Sequence, residues 1–93
     1  MSEKVRLQAI VHGRVQGVSF RYYTHRQACQ LDVTGYVRNQ WDGTVKVVAE
    51  GPHSNVTRLL SWLRKGPRMA FVQKVDVQWL PPTGKFQHFE VRY

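Results

Sequence analysis

The sequence predicts an α+β sandwich: a mostly antiparallel sheet covered on one face by two helices, with a short extra strand at its end. Three observations carry this. Apolar residues alternate singly along several segments, the period of half-buried strands. Two intervening segments repeat their apolar residues at helical spacing. Glycines and prolines punctuate the joins where one period gives way to the other.

Taken in order, Val5, Leu7, Ala9 and Val11 alternate with Arg6, Gln8 and His12, which defines a first strand. Gly13 to Ser19 is a loop bracketed by glycines. From Phe20 the residues Phe20, Tyr23, Thr24, Gln27, Ala28 and Leu31 share one face of a helix. Gly35 to Asn39 is a short β-rich run, and Thr44 to Glu50 is another. The Asp42-Gly43 pair between them signals a hairpin with a loop longer than two residues. Gly51-Pro52 opens a second helix with Val56, Leu59, Leu60 and Leu63 on its apolar face, and Gly66-Pro67 stops it. Val75, Val77 and Trp79 alternate in a fourth strand. After the turn at Pro81 to Gly84, Phe89, Val91 and Tyr93 alternate in a closing one.

The order is β-α-β-β-α-β plus a terminal strand. Each helix must return the chain by a right-handed crossover, while the middle strands close as a hairpin. The simplest result is a ferredoxin-like sandwich. That architecture hosts many functions and selects none by itself.

A chain of 93 residues is expected to form one domain spanning 1–93, since chains usually divide only beyond roughly 250 residues. Fourteen Lys and Arg against six Asp and Glu give a net charge of +8 and a pI near 10.3, which points to an anionic partner. No apolar run approaches the roughly 18 residues of a membrane span. The opening residues show no stretch like a secretion signal, so a cytoplasmic protein without a membrane partner is expected. The single Cys29 excludes an internal disulfide and any multi-cysteine zinc site, and with no basic neighbour specified it reads as a structural thiol. His12, His25, His53 and His88 lack metal-ligand spacing, so neither metal nor cofactor is expected. Trp41, Trp62 and Trp79 read as packing or rim residues. Arg14, Arg38, Lys65 and Arg68 read as a solvated face that can steer anions.

The loop from Gly13 to Ser19 leads a strand into a helix N-terminus, where free backbone N–H groups and the helix dipole favour an anion. Glycines let successive amides turn inward as a nest. Arg21 sits in the first turn, off the apolar face, where its planar fork can meet the same anion. The loop is not a Walker motif, because no Gly-Lys-Ser/Thr follows. Such a turn is also a common structural device, and spacing alone favours that reading. Asn39 ends the second strand. In this topology that strand is parallel to the first with one antiparallel strand between, so Asn39 lies at the loop's edge of the sheet, about 10 Å away. Spacing alone favours reading it as a turn-forming residue.

At these residues a resemblance appears. The run from Val11 to Arg21 resembles the first motif of the acylphosphatase family. Gly35 to Asn39, followed by Gly43-Thr44-Val45 and Gly51, resembles the second, and Phe89 to Tyr93 is similar to the family's ending. The match spans nearly the whole chain, at the length of the small stand-alone enzymes. The resemblance implies hydrolysis of acyl phosphates, such as acetyl phosphate, to a carboxylate and inorganic phosphate. It further implies that Arg21 and the backbone amides of Val15, Gln16, Gly17, Val18, Ser19 and Phe20 hold the phosphoryl oxygens. Asn39 would orient the attacking water, without metal or phosphoenzyme. Inorganic phosphate or sulfate would compete as anions, and a monomer is the simpler expectation.

The chemistry suits these residues. Phosphoryl transfer depends mainly on positioning and electrostatics. The leaving group is the conjugate base of an acid with pKa about 4, so it departs without a general acid. The rival reading is an RNA-binding module on the same architecture. Its third strand would carry a run of aromatics, whereas Thr44 to Glu50 has none, so specific nucleic-acid binding is not expected. The acylphosphatase-like domain of hydrogenase-maturation proteins is a second rival, but those chains are far longer.

Overall fold

A computed structural model describes residues 3–93. The elements run β1 (Lys4–Arg14), α1 (Phe20–Gln30), β2 (Thr34–Asn39), β3 (Val45–Pro52), α2 (His53–Lys65), β4 (Phe71–Leu80) and β5 (Phe89–Arg92). The strands form one sheet in the order β4-β1-β3-β2-β5. All neighbours are antiparallel except β2 and β5, which run parallel. This is the ferredoxin-like sandwich that the alternation of periods predicts. Several boundaries differ. β3 continues through Gly51 and Pro52, the pair expected to open the second helix, which begins at His53 with Pro52 as its N-cap. β1 runs past Gly13 to Arg14 through a register shift, and β4 begins at Phe71, before its alternating stretch.

The core lies between sheet and helices. Leu7, Ala9 and Val11 of β1, with Val37, Val45, Val47 and Ala49, point to the helix side and are buried. They meet Phe20 and Ala28 of α1, and Val56, Leu59 and Leu63 of α2. Helix α2 sits over β1, β3 and β4 and buries the whole predicted stripe. Helix α1 sits over β2 and the short edge strand β5, and buries a narrower side consisting of Phe20, Thr24 and Ala28. Tyr23, expected in that stripe, is 39% exposed and lines a surface cavity with Trp62 and Gly66 at the end of α2.

The opposite face of the sheet is crossed by the segment 81–88, and one carboxylate holds it there. Glu50 is buried and accepts from Arg6 Nη1 at 2.9 Å, Thr83 N at 3.0 Å, Thr83 Oγ1 at 2.8 Å and Gly84 N at 2.9 Å. Burial would raise its pKa, but these bonds together outweigh burial and hold it below the ordinary value.

Among residues weighed from sequence, Trp62 packs on Phe20 with ring centroids 5.8 Å apart, and Trp79 stands 5.4 Å from the His53 ring. Trp41 is fully exposed at the β2–β3 turn. Cys29 is not packed as a structural thiol. It is exposed, and His25 Nε2, one helical turn earlier, lies 3.6 Å from its Sγ. Among the described residues no helix is long and apolar enough to cross a membrane.

Candidate active site

The loop between β1 and α1 takes its shape from four residues. At the register shift, Gly13 has φ 129°, and a Cβ there would fall 2.1 Å from the Phe71 carbonyl oxygen, so only glycine lets β4 approach. Val15 is buried and anchors the loop to the core. Gly17 (φ 74°) and Ser19 (φ 60°) both adopt left-handed backbone, which curls the intervening chain. Ser19 then caps α1 through its backbone only, its hydroxyl making no cap bond, and the first turn holds no acidic residue. The amides at this helix N-terminus, and the positive end of its dipole, therefore have no anionic partner from those positions.

Two side chains from the loop expected to bind an anion point elsewhere. Gln16 Nε2 donates to the carbonyls of Gln40 at 2.7 Å and Thr44 at 2.8 Å, tying the loop to the β2–β3 turn. Val18 packs against the core cluster. The expectation for both concerned their backbone amides, not these side chains.

Arg21 is held by the end of the chain. Its Nη1 donates to the Arg92 carbonyl at 3.0 Å, and its guanidinium carbon sits 4.5 Å from the centroid of the Tyr93 ring. One face of the fork is thereby fixed while other donors stay available.

Asn39 ends β2, where the hairpin turn begins. The turn is closed by Gln40 N donating to the Thr44 carbonyl at 2.8 Å and by Gly43 N donating to the Gln40 carbonyl at 3.1 Å. Inside it, Gln40 Nε2 donates to Thr44 Oγ1 at 2.9 Å. Asp42 Oδ1 accepts from Thr44 Oγ1 at 2.7 Å and from Thr44 N at 3.0 Å. The Thr44 hydroxyl, followed by the Thr44 amide, holds the Asp42 carboxyl below its usual pKa. Asn39 supplies none of these bonds. Its Oδ1 is shielded from solvent yet has no partner among the described residues. The other such atom, Thr24 Oγ1, lies in the buried side of α1.

These pieces meet in an open cleft of about 410 Å³. The loop contributes Val15, Gly17, Ser19 and Phe20, and α1 contributes Arg21. Asn39 lines the same cleft from the end of β2. Three further lining residues were not singled out from sequence: Tyr22, Val91 and Tyr93. Alternation of Phe89, Val91 and Tyr93 placed the last two on one face, but nothing local to them indicates parallel pairing with β2, which brings them beside Arg21. Among the described residues no group of three or more His, Cys, Asp or Glu is placed to hold a metal ion.

One cleft thus brings together the glycine-containing loop, Arg21 and Asn39, whose Oδ1 is shielded and has no partner among the described residues. Comparison with known proteins identifies the family. The sequence model of the acylphosphatase family matches residues 7–91. An acylphosphatase of Yersinia pseudotuberculosis is 50% identical over 91 residues, covering 97% of this chain and 98% of its own. One from Salinibacter ruber is 48% identical over 87 residues, covering 94% and 92%. The crystal structure of acylphosphatase from Bacillus subtilis superposes with a TM-score of 0.92 at 30% identity, covering 96% of this chain and 99% of that one. With a family match over most of the chain and relatives at about half identity, the chain belongs to the acylphosphatase family of hydrolases.

Proposed function

We propose that the cleft hydrolyses acyl phosphates by direct in-line attack of water on phosphorus. Arg21 and the amides of residues 15–20 hold the phosphoryl group, and Asn39 positions the water. The observation that carries this reading is that Arg21 and Asn39 line one cleft, and that Asn39 Oδ1 is shielded and has no partner among the described residues. An unsatisfied buried oxygen costs roughly 1–3 kcal/mol, so its retention at a cleft wall suits a ligand that donates to it. Water donating to Oδ1 leaves a lone pair free for phosphorus.

Charge is handled by fixed donors. The helix N-terminus and the guanidinium face the equatorial oxygens, where negative charge sits in the transition state. The carboxylate leaves unassisted, and a bound phosphoryl oxygen accepts the water's proton, so the pair needs no general base. On this reading one 93-residue domain works as a cytoplasmic monomer, without metal, cofactor or membrane. Inorganic phosphate or sulfate competes for the cradle, and catalysis requires no sequence-specific nucleic acid.

The test is hydrolysis of benzoyl or acetyl phosphate in excess chelator. Rapid release of inorganic phosphate is expected, whereas alkyl phosphate esters should react very poorly, because an alkoxide leaves badly without a general acid. Loss of the rate on chelation, restored by a divalent ion, would overturn the metal-free mechanism.

A further inference from the structure

The face of the sheet opposite the helices carries a charge pattern that the cleft does not use. Register places Lys46, Arg38 and Arg92 directly opposite one another on β3, β2 and β5. Their neighbours Val45, Val47 and Val37 point into the core, so all three side chains project to the other side. Like charges directly opposite across a ladder repel. Arg92 is relieved by Glu90 Oε2, 3.1 Å from its Nε, but among the described residues neither Arg38 nor Lys46 forms a salt bridge.

Aromatic rings continue the row. The Arg92 and Arg38 guanidinium carbons lie 4.1 and 5.9 Å from the Tyr36 centroid. Tyr36 in turn stands 6.0 Å from Phe86, over which Arg6 sits at 5.7 Å. Beside Arg92 opens a cavity of about 590 Å³, lined also by Arg6, Lys85 and Phe86. Tyr36 is buried beneath the cations, while Phe86 is half-exposed.

We propose that this face binds single-stranded nucleic acid through its phosphates, without reading sequence. The row presents three cations across roughly 10 Å, two strand spacings, and the cavity continues the basic track with a ring on which one base can stack. β3 offers no aromatic for further stacking, which is why sequence readout is not expected. The proposal is independent of the hydrolase reading, since the row lies on the face away from α1.

Fluorescence anisotropy with a labelled oligothymidylate at low salt tests it. The variant R38Q/K46Q should lose at least tenfold in affinity, and the magnitude of its log–log salt slope should fall by about 1.4, roughly 0.7 for each of the two cations removed. The charge-matched variant R58Q/R64Q on α2 should lose less than twofold. F86L should weaken binding severalfold without changing the salt slope. Equal losses in the two double variants would reduce the effect to bulk charge and overturn the proposal. So would undetectable binding by the unmodified protein, equally tight binding of a polyglutamate of matched charge, or loss of binding in R21Q, which would place the strand in the cleft. R38Q/K46Q should melt no lower than the parent because repulsion is relieved, and that midpoint certifies the comparison.

Discussion

In the proposed mechanism Arg21 and Asn39 divide the chemistry between ground state and transition state, and that division can be measured residue by residue. There Arg21 meets the phosphoryl oxygens before and during reaction, so Arg21→Ala should weaken inhibition by inorganic phosphate and lower kcat together. Arg21→Lys should restore neither in full, because an ammonium cannot keep both the Arg92 carbonyl bond and a bidentate grip on phosphate. Asn39 is proposed to act on a water that the phosphate complex lacks. Asn39→Ala should therefore lower kcat a hundredfold or more, on the order of 3 kcal/mol, with phosphate inhibition and thermal midpoint nearly unchanged. The turn-forming alternative predicts the reverse, a lower midpoint with activity kept. The turn's hydrogen bonds all come from Gln40, Asp42, Gly43, Thr44 and Gln16, which favours the first outcome.

Elements succeed or fail by what holds their edges. The segment 81–88 has no ladder of its own, and Glu50 supplies its attachment through Thr83 and Gly84. The folded-state pKa of Glu50 is lowered, so its contribution is present above the unfolded value near 4.5 and is lost as pH falls through the folded value. Asp42, also lowered, acts in the same direction. Thermal midpoints recorded downward from neutral pH should hold until about that value and then drop. Glu50→Gln should start lower by about 2 kcal/mol and show a shallower acid decline. An unchanged acid profile in Glu50→Gln would remove Glu50 from the account. The strands and helices themselves were legible because period alone distinguishes them, as the unbroken stripe of Val56, Leu59, Leu60 and Leu63 shows. Less legible were features set at a distance. Gly13 looks like a loop residue but is strand, since its role is to admit the Phe71 carbonyl from β4. Phe71 itself lies 63% exposed on an edge and carries no alternation to mark it.

At the scale of the whole molecule, the sheet order sets the site. Placing β3 between β1 and β2 brings the loop and Asn39 to one edge, and pairing β5 beside β2 brings Val91 and Tyr93 to the same cleft. Arg21, Asn39 and the glycine loop could be singled out from sequence through the resemblance to the acylphosphatase motifs, since spacing alone read the loop and Asn39 as turn structure. Tyr22, Val91 and Tyr93 could not, because their part is shape, which only the assembled sheet defines. The net charge of +8 draws anions toward both faces, yet catalysis by this account happens only where the cradle and Asn39 meet. In the proposed mechanism water attacks phosphorus and not the acyl carbon. Hydrolysis of benzoyl phosphate in water enriched in heavy oxygen, with mass spectrometry of both products, tests this in a single turnover. Attack at phosphorus puts the label in inorganic phosphate and none in benzoate. Label in benzoate would mean attack at the carbonyl and would contradict it.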